Sequence, residues 1–133
     1  MSKAIVFFAD GFEECEGLLV VDLLRRAGVD VKTASINGST KILSSHGITL
    51  FADLRAEDAD YAAADIVILP GGLKGTENLA ASTFVKEKCL EFANEKKWLP
   101  SVLLQVSLPR SDCLREENRP SILILKTKCL MQN

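Results

Sequence analysis

The sequence is poor in the residues from which metal centres, disulfide frameworks and charge-relay triads are built. His46 is the single histidine in 133 residues, so neither a Ser-His-Asp triad nor a histidine metal cluster can be assembled without another anchored partner. The cysteines, Cys15, Cys89, Cys113 and Cys129, are scattered with no CxxC pair, which suggests neither a disulfide framework nor a zinc site and leaves free thiols. There is no basic excess. Lys plus Arg number 16 against 18 Asp plus Glu, a net charge of -2, so a dedicated nucleic-acid binder is not expected. Long apolar runs are missing too. Ala4 to Ala9, Leu18 to Leu24 with Asp22 inside it, and Ile66 to Leu69 fall far short of the ~20 residues of a membrane span. The apolar stretch after Lys3 is too short for a secretory signal, so no membrane association is expected and the expected address is cytoplasmic. Internal repeats and low-complexity linkers are absent.

What is present fits one compact domain, with 47% hydrophobic and 26% charged residues. Ala4 to Ala9 is a short apolar run rich in β-formers, as in a strand buried on both faces of a parallel sheet. Asp10-Gly11 ends it. From Glu13 to about Ala27 acidic residues open a helical pattern, Leu18, Leu19, Val21, Leu23 and Leu24 form a broad apolar face, and Arg25-Arg26 then Gly28 close it. Val29 to Ile36 alternates as a second strand, completing a β-α-β unit. Lys41 to Ser44 and Ile48 to Phe51, joined at His46-Gly47, read as a small hairpin. Arg55 to Ala64 reads as a short surface helix or loop, Ile66 to Leu69 as another buried strand stopped by Pro70-Gly71-Gly72, and Ser82 to Glu95 as a second amphipathic helix with Ser82 at its N-cap. Beyond Leu99 the rhythm fails: Ser101 to Leu108 and Ser121 to Lys126 could be strands, but Arg110 to Arg119 between them has no clear period.

Two features could carry chemistry. Glu13, Glu14 and Glu16 follow the first strand, at the carboxyl edge where open α/β sheets bind ligands. The plain reading is that these acids complement the helix dipole. Glu16, one turn inside, could face the strand ends, and a partly desolvated carboxyl is the kind of group that exchanges protons near neutrality. Gly71-Gly72 ends the other buried strand, where adjacent glycines let backbone amides turn toward a ligand, as an oxyanion hole requires; the plain reading is a tight turn. Gly75 completes neither GxGxxG nor a P-loop, so no nucleotide cofactor is expected. His46 reads as a solvated turn residue. Cys15 stands between two glutamates and Cys89 on the apolar face of its helix, and neither is placed as an activated thiol.

These residues resemble the ThiJ/PfpI superfamily. Ala4-Ile-Val-Phe-Phe-Ala-Asp-Gly-Phe-Glu-Glu-Cys-Glu, Val21-Asp-Leu-Leu-Arg-Arg-Ala-Gly-Val-Asp-Val, Ser45-His-Gly-Ile and Asp65-Ile-Val-Ile-Leu-Pro-Gly-Gly through Asn78-Leu match it in order and spacing over residues 3 to about 97. The resemblance implies an α/β, flavodoxin-like, doubly wound parallel sheet, usually in a homodimer. It also implies a cysteine nucleophile on a strand-to-helix elbow, with Glu16 at the family's glutamate position and Gly71 and Gly72 at its oxyanion glycines. The implied chemistry is glyoxalase- or deglycase-type action on reactive carbonyls such as methylglyoxal, with stress-protective or chaperone-like roles and neither metal nor other cofactor.

The elbow, of the form Ala-Ile-Cys-Ala-Ala/Gly-Pro, is replaced by Leu99-Pro-Ser-Val-Leu-Leu-Gln-Val, with no cysteine at the nucleophile position. The expected organisation is therefore an incomplete ThiJ/PfpI-like domain over 1–98 and an aberrant, poorly packed tail over 99–133, with the fold truncated or disrupted after about residue 99. Joining the last base of each codon from Leu99 onward to the first two bases of the next can, with free choice of synonymous codons, restore Ala-Ile-Cys-Ala-Ala-Pro. A one-base frameshift near Leu99 is the resulting hypothesis. Without the nucleophile this chain is expected to be inactive, the alternative being a non-catalytic binding or chaperone-like domain.

Overall fold

The fold is a computed structural model that describes residues 1–95. Its centre is β1 (Lys3–Phe8), every residue of which after Lys3 is buried. A strand with no solvent-facing side needs partners on both edges and cover on both faces. β2 (Asp30–Ser35) pairs parallel along one edge, from Lys3 opposite Asp30 to Phe8 opposite Ser35. β6 (Ile66–Ile68) pairs parallel along the other, Ala4 opposite Ile66. A two-residue strand, β5 (Leu54–Arg55), extends the sheet beyond β2, giving the order β5-β2-β1-β6. The remaining strands, β3 (Lys41–Leu43) and β4 (Thr49–Phe51), form a separate antiparallel hairpin.

The period of two along β1 divides the core. Ile5 and Phe7 point to one face, where they join Val67, Leu69, Leu79 and Val85, so α2 (Leu73–Ala81) and α3 (Thr83–Glu95) cover that side. Ala4, Val6 and Phe8 point to the other, beside Phe12, Val21, Val31 and Ile42, so α1 (Glu14–Arg26) and the hairpin cover it. Helices on both faces of a parallel sheet make the doubly wound α/β architecture expected from the sequence. Within residues 1–95 the expected strands and helices form, with ends shifted by a residue or so, and Ser82 Oγ accepts from Val85 N at 3.3 Å at the start of α3.

Three local expectations need correction. Leu18, Leu19 and Leu23 do not face the sheet; they are 43%, 56% and 55% exposed. The buried stripe of α1 is Glu14, Gly17 and Val21, with Val20 and Leu24 packed beside them. Gly17 takes the inner position because the stacked rings of Phe8 and Phe12, with centroids 4.3 Å apart, fill the space beneath it. Pro70-Gly71-Gly72 leads directly into a helix absent from the expected elements: Gly72 is the N-cap of α2, whose inner face of Gly75, Thr76 and Leu79 is too little apolar to show a helical period. β5 was also not apparent, being held to β2 through Asp53, whose Oδ2 accepts from the Thr33 amide and hydroxyl at 2.8 and 3.0 Å. Between β5 and β6 the surface helix or loop is a 3-10 turn, Ala56–Asp58. The possible strands after Ser101, the division at residue 98 and the packing expected of residues 99–133 lie outside the described residues.

Gly17 provides a test of this packing. An exposed mid-helix Gly→Ala change stabilises by about 1 kcal/mol, but a Cβ at position 17 would sit 2.7 Å from Phe12 Cε2 and 3.1 Å from Phe8 Cε1. Overpacking of this kind costs about 1–3 kcal/mol, so Gly17→Ala is expected to lower stability in urea unfolding. A stabilised variant would show that α1 is not seated on the stacked rings.

Candidate functional site

β1 has its successor β2 on one edge and β6 on the other, so the winding of the sheet reverses between β1 and β6. In open α/β sheets the loops leaving the carboxyl ends of strands at such a switch point are where ligands bind. Here they are stitched together by backbone contacts. The Glu13 amide donates to Gly71 O at 2.9 Å and the Gly75 amide to Gly11 O at 3.1 Å, while Asn78 Nδ2 donates to Asp10 O at 2.8 Å. Such proximity requires glycine. Gly72 has φ 109°, and a Cβ there would lie 2.5 Å from Glu13 N and 2.8 Å from Gly11 O.

Three glutamates at the start of α1 have three placements. Glu13 is the N-cap, its Oε2 accepting from Glu16 N at 2.8 Å. Glu16, half-buried, turns its carboxylate onto Gly71: a Cβ built there would collide with Glu16 Oε2 and stand 2.8 Å from Cδ. The structure thus brings Glu16 and Gly71 into contact, with Gly72 one residue further along the same turn, against the backbone of Glu13.

In the sequence Glu14 reads as a dipole-complementing acid, yet it is buried, at 8% exposed, and is the hub of the adjoining hairpin. Ser44 Oγ and the His46 amide donate to its Oε1 at 2.6 and 2.7 Å, and Ser45 Oγ donates to Oε2 at 3.1 Å. His46 Nδ1 lies 2.8 Å from the same Oε2. The Ser44 hydroxyl, followed by His46, holds this carboxyl far below the usual range despite its burial. In turn the Glu14 carboxylate raises the His46 imidazole above its ordinary value. His46 is thus not only a solvated turn residue; its exposed ring has a fixed partner. The sequence signal was the Ser44-Ser45-His46-Gly47 turn opposite an acidic pair, a pairing across some thirty residues that local patterning cannot reveal.

Glu13, Glu14 and His46 also offer ligand atoms within 4.8 Å of one another. The hydrogen bonds already converging on Glu14 and Glu13 account for that arrangement without an ion. Cys15 is exposed on α1. Cys89 is half-buried in α3, where burial pushes its thiol up to about 11, a setting for packing rather than nucleophilic attack. Cys113, Cys129 and the elbow segment after Leu99 lie outside the described residues.

The DJ-1/PfpI family profile matches residues 2–107. The chain belongs to this family. It is 41% identical over 86 residues to the Parkinson disease protein 7 homolog of Danio rerio, covering 64% of this chain and 46% of that protein. It is 34% identical over 70 residues to Deglycase TK1284 of Thermococcus kodakarensis, covering 53% of this chain and 42% of that one. A cysteine-to-alanine variant of the DJ-1 superfamily protein STM1931 from Salmonella typhimurium superposes with a TM-score of 0.68 at 38% identity, covering 72% of this chain and 52% of that chain. The chain therefore spans about half the length of these DJ-1/PfpI relatives, and the resemblance read over residues 3 to about 97 is a family relationship.

The lowered Glu14 carboxyl fixes the sign of an acid effect. A depressed carboxyl contributes stability that is fully present above the unfolded value, ordinarily 4.5, and is lost as pH falls toward the folded one. Wild-type stability is expected to fall below about pH 4.5 more steeply than that of Glu14→Gln. Parallel acid profiles by circular dichroism would remove Glu14 from its role as the hairpin's anchor.

Proposed function

We propose that residues 1–95 carry the glutamate and amide half of a DJ-1/PfpI site for reactive carbonyls such as methylglyoxal, in a cytoplasmic, stress-protective setting. The observation that carries this reading is the packing of the Glu16 carboxylate onto Gly71 at the switch point. A carboxyl and glycine amides at one sheet edge supply two of the three parts that addition to an aldehyde needs. In an intact site a cysteine thiolate would form the S–C bond at the carbonyl carbon. Glu16 would deliver the proton to the former carbonyl oxygen, and the Gly71 and Gly72 amides would hold the charge developing there. The name of the Thermococcus relative, a deglycase, favours this substrate class.

The chain as written has Leu99-Pro100-Ser101-Val102 where the elbow is expected, so the proposal includes its inactivity. Without a nucleophile the two remaining parts can bind a carbonyl but cannot form the thiohemiacetal. The second reading, a non-catalytic binding or chaperone-like domain, and homodimer formation alike draw support from Leu18, Leu19 and Leu23 exposed along α1, with Ile48 and Phe51 exposed on the hairpin.

Methylglyoxal consumption by the 133-residue chain and by a version carrying Ala-Ile-Cys-Ala-Ala-Pro from Leu99 onward separates the readings. The unmodified chain is expected to match buffer. The restored chain is expected to turn over, with Glu16→Gln lowering its rate by about 10²–10⁴-fold, the usual worth of a positioned acid-base group. Turnover by the unmodified chain that Glu16→Gln abolishes would overturn the assignment of inactivity. A restored chain indifferent to Glu16→Gln would overturn the role of Glu16.

A further inference from the structure

The β3–β4 hairpin is fastened to the body at two places by different forces. At its base Ile42 is fully buried beside Phe8, Phe12 and Val21, and Leu43 exchanges bonds with the loop after β1, its amide donating to Asp10 Oδ1 at 2.9 Å and its carbonyl accepting from Gly11 N at 2.8 Å. At its tip the hold is mainly electrostatic. Ser44, Ser45 and His46 converge on the Glu14 carboxylate, and the Ser45 amide donates to Phe12 O at 2.9 Å. The tip closes on itself through the Gly47 amide to Ser44 O at 3.2 Å and the Ile48 amide to Ser44 Oγ at 3.0 Å.

Among the groups that meet Glu14, two serine hydroxyls and a backbone amide keep their protons throughout the physiological range. The imidazole does not. Its ring is 75% exposed, so protons reach it freely, and it faces two carboxylates from the start of α1, Glu14 at 2.8 Å and Glu13 within 4.8 Å. Ser45 Oγ, 3.0 Å from Nδ1, is the ring's neighbour within the hairpin. We propose that Glu14 and His46 form a pH-operated latch between the hairpin tip and the start of α1, beside the switch point of the sheet, closed when the imidazole is charged and loosened when it gives up its proton.

The direction follows from the pairing. A histidine raised by its partner contributes stability that is complete below the unfolded value, ordinarily 6.5, and is lost as pH rises through the higher folded value. A neutral imidazole can still donate from Nδ1, so the change is graded and confined to the tip, while the apolar base holds. Its reach is short but well placed, because Glu14 lies two residues before Glu16 on the same helical turn. This inference rests on the hydrogen-bond geometry and is independent of the carbonyl chemistry.

Hydrogen exchange of the Ser45, His46, Gly47 and Ile48 amides in the full 133-residue chain, corrected for intrinsic rates, tests it across about pH 5.5 to 8.5. Tip protection is expected to fall about two- to fivefold through the titration of His46, the range of an exposed ion pair, while the Leu43 amide stays level. His46→Gln, which keeps an N–H donor and loses the titration, is expected to flatten the profile. A level wild-type tip, or an equal decline in His46→Gln, would overturn the latch. So would an imidazole NMR titration midpoint that does not move downward in Glu14→Gln, a readout independent of whether the histidine variant folds.

Discussion

Everything at the carboxyl edge of this sheet depends on two loops running closer together than side chains allow. The segment from Gly11 to Glu13 and the segment from Gly71 to Gly75 meet backbone to backbone, and at Gly71, Gly72 and Gly75 an added methyl carbon would strike the opposing loop or the Glu16 side chain. The approach brings Glu13 N to Gly71 O and Gly75 N to Gly11 O. It therefore sets the start of α1 and the start of α2 side by side, which is what lets a helix-borne carboxylate rest on a strand-borne turn.

That constraint explains why three nearby carboxylates do not simply repel one another. Each has a different neighbour: Glu13 accepts from the Glu16 amide, Glu14 takes the donors of the hairpin tip, and Glu16 packs on Gly71. The amino end of a helix favours negative charge, and the two serines and the histidine that come back across the sheet from residues 44–46 distribute the rest. The acidic cluster is a junction between α1, the β3–β4 hairpin and the loop after β6.

Much of this was legible from residue patterns, and the failures share a cause. Strands β1 and β6 announce themselves because burial on both faces demands continuous apolar runs, β2 because it alternates, and α3 because Phe84, Val85, Cys89 and Phe92 recur at helical spacing. Helix α2 and strand β5 are hidden, since one buries Gly75 and Thr76 and the other is only two residues long, too short for a pattern although its Leu54 packs on the core beside the Asp53–Thr33 bonds. The exposed Leu18, Leu19 and Leu23 illustrate the reverse: an apolar run on a helix shows that something could be buried, while the stacked rings beneath Gly17 decide which side is. In the candidate site, Glu16 and the Gly71-Gly72 pair could be read because strand topology alone delivers them to one edge. Glu14 and His46 could not, because nothing local in either segment reports the other.

The central position of β1 has a consequence for how the chain emerges from the ribosome. Its first partner, β2, follows after one helix, and a β-α-β unit can close as soon as Ser35 is available. Its second edge must wait until Ile68. At synthesis rates of ~5–20 residues per second that interval lasts roughly 2–7 s, during which one edge of the central, five-sixths buried strand presents unpaired amides and carbonyls. The hairpin that intervenes is synthesised during this interval, and Ile42, buried over Phe8 and Phe12, gives the waiting strand cover on one face before its edge is closed.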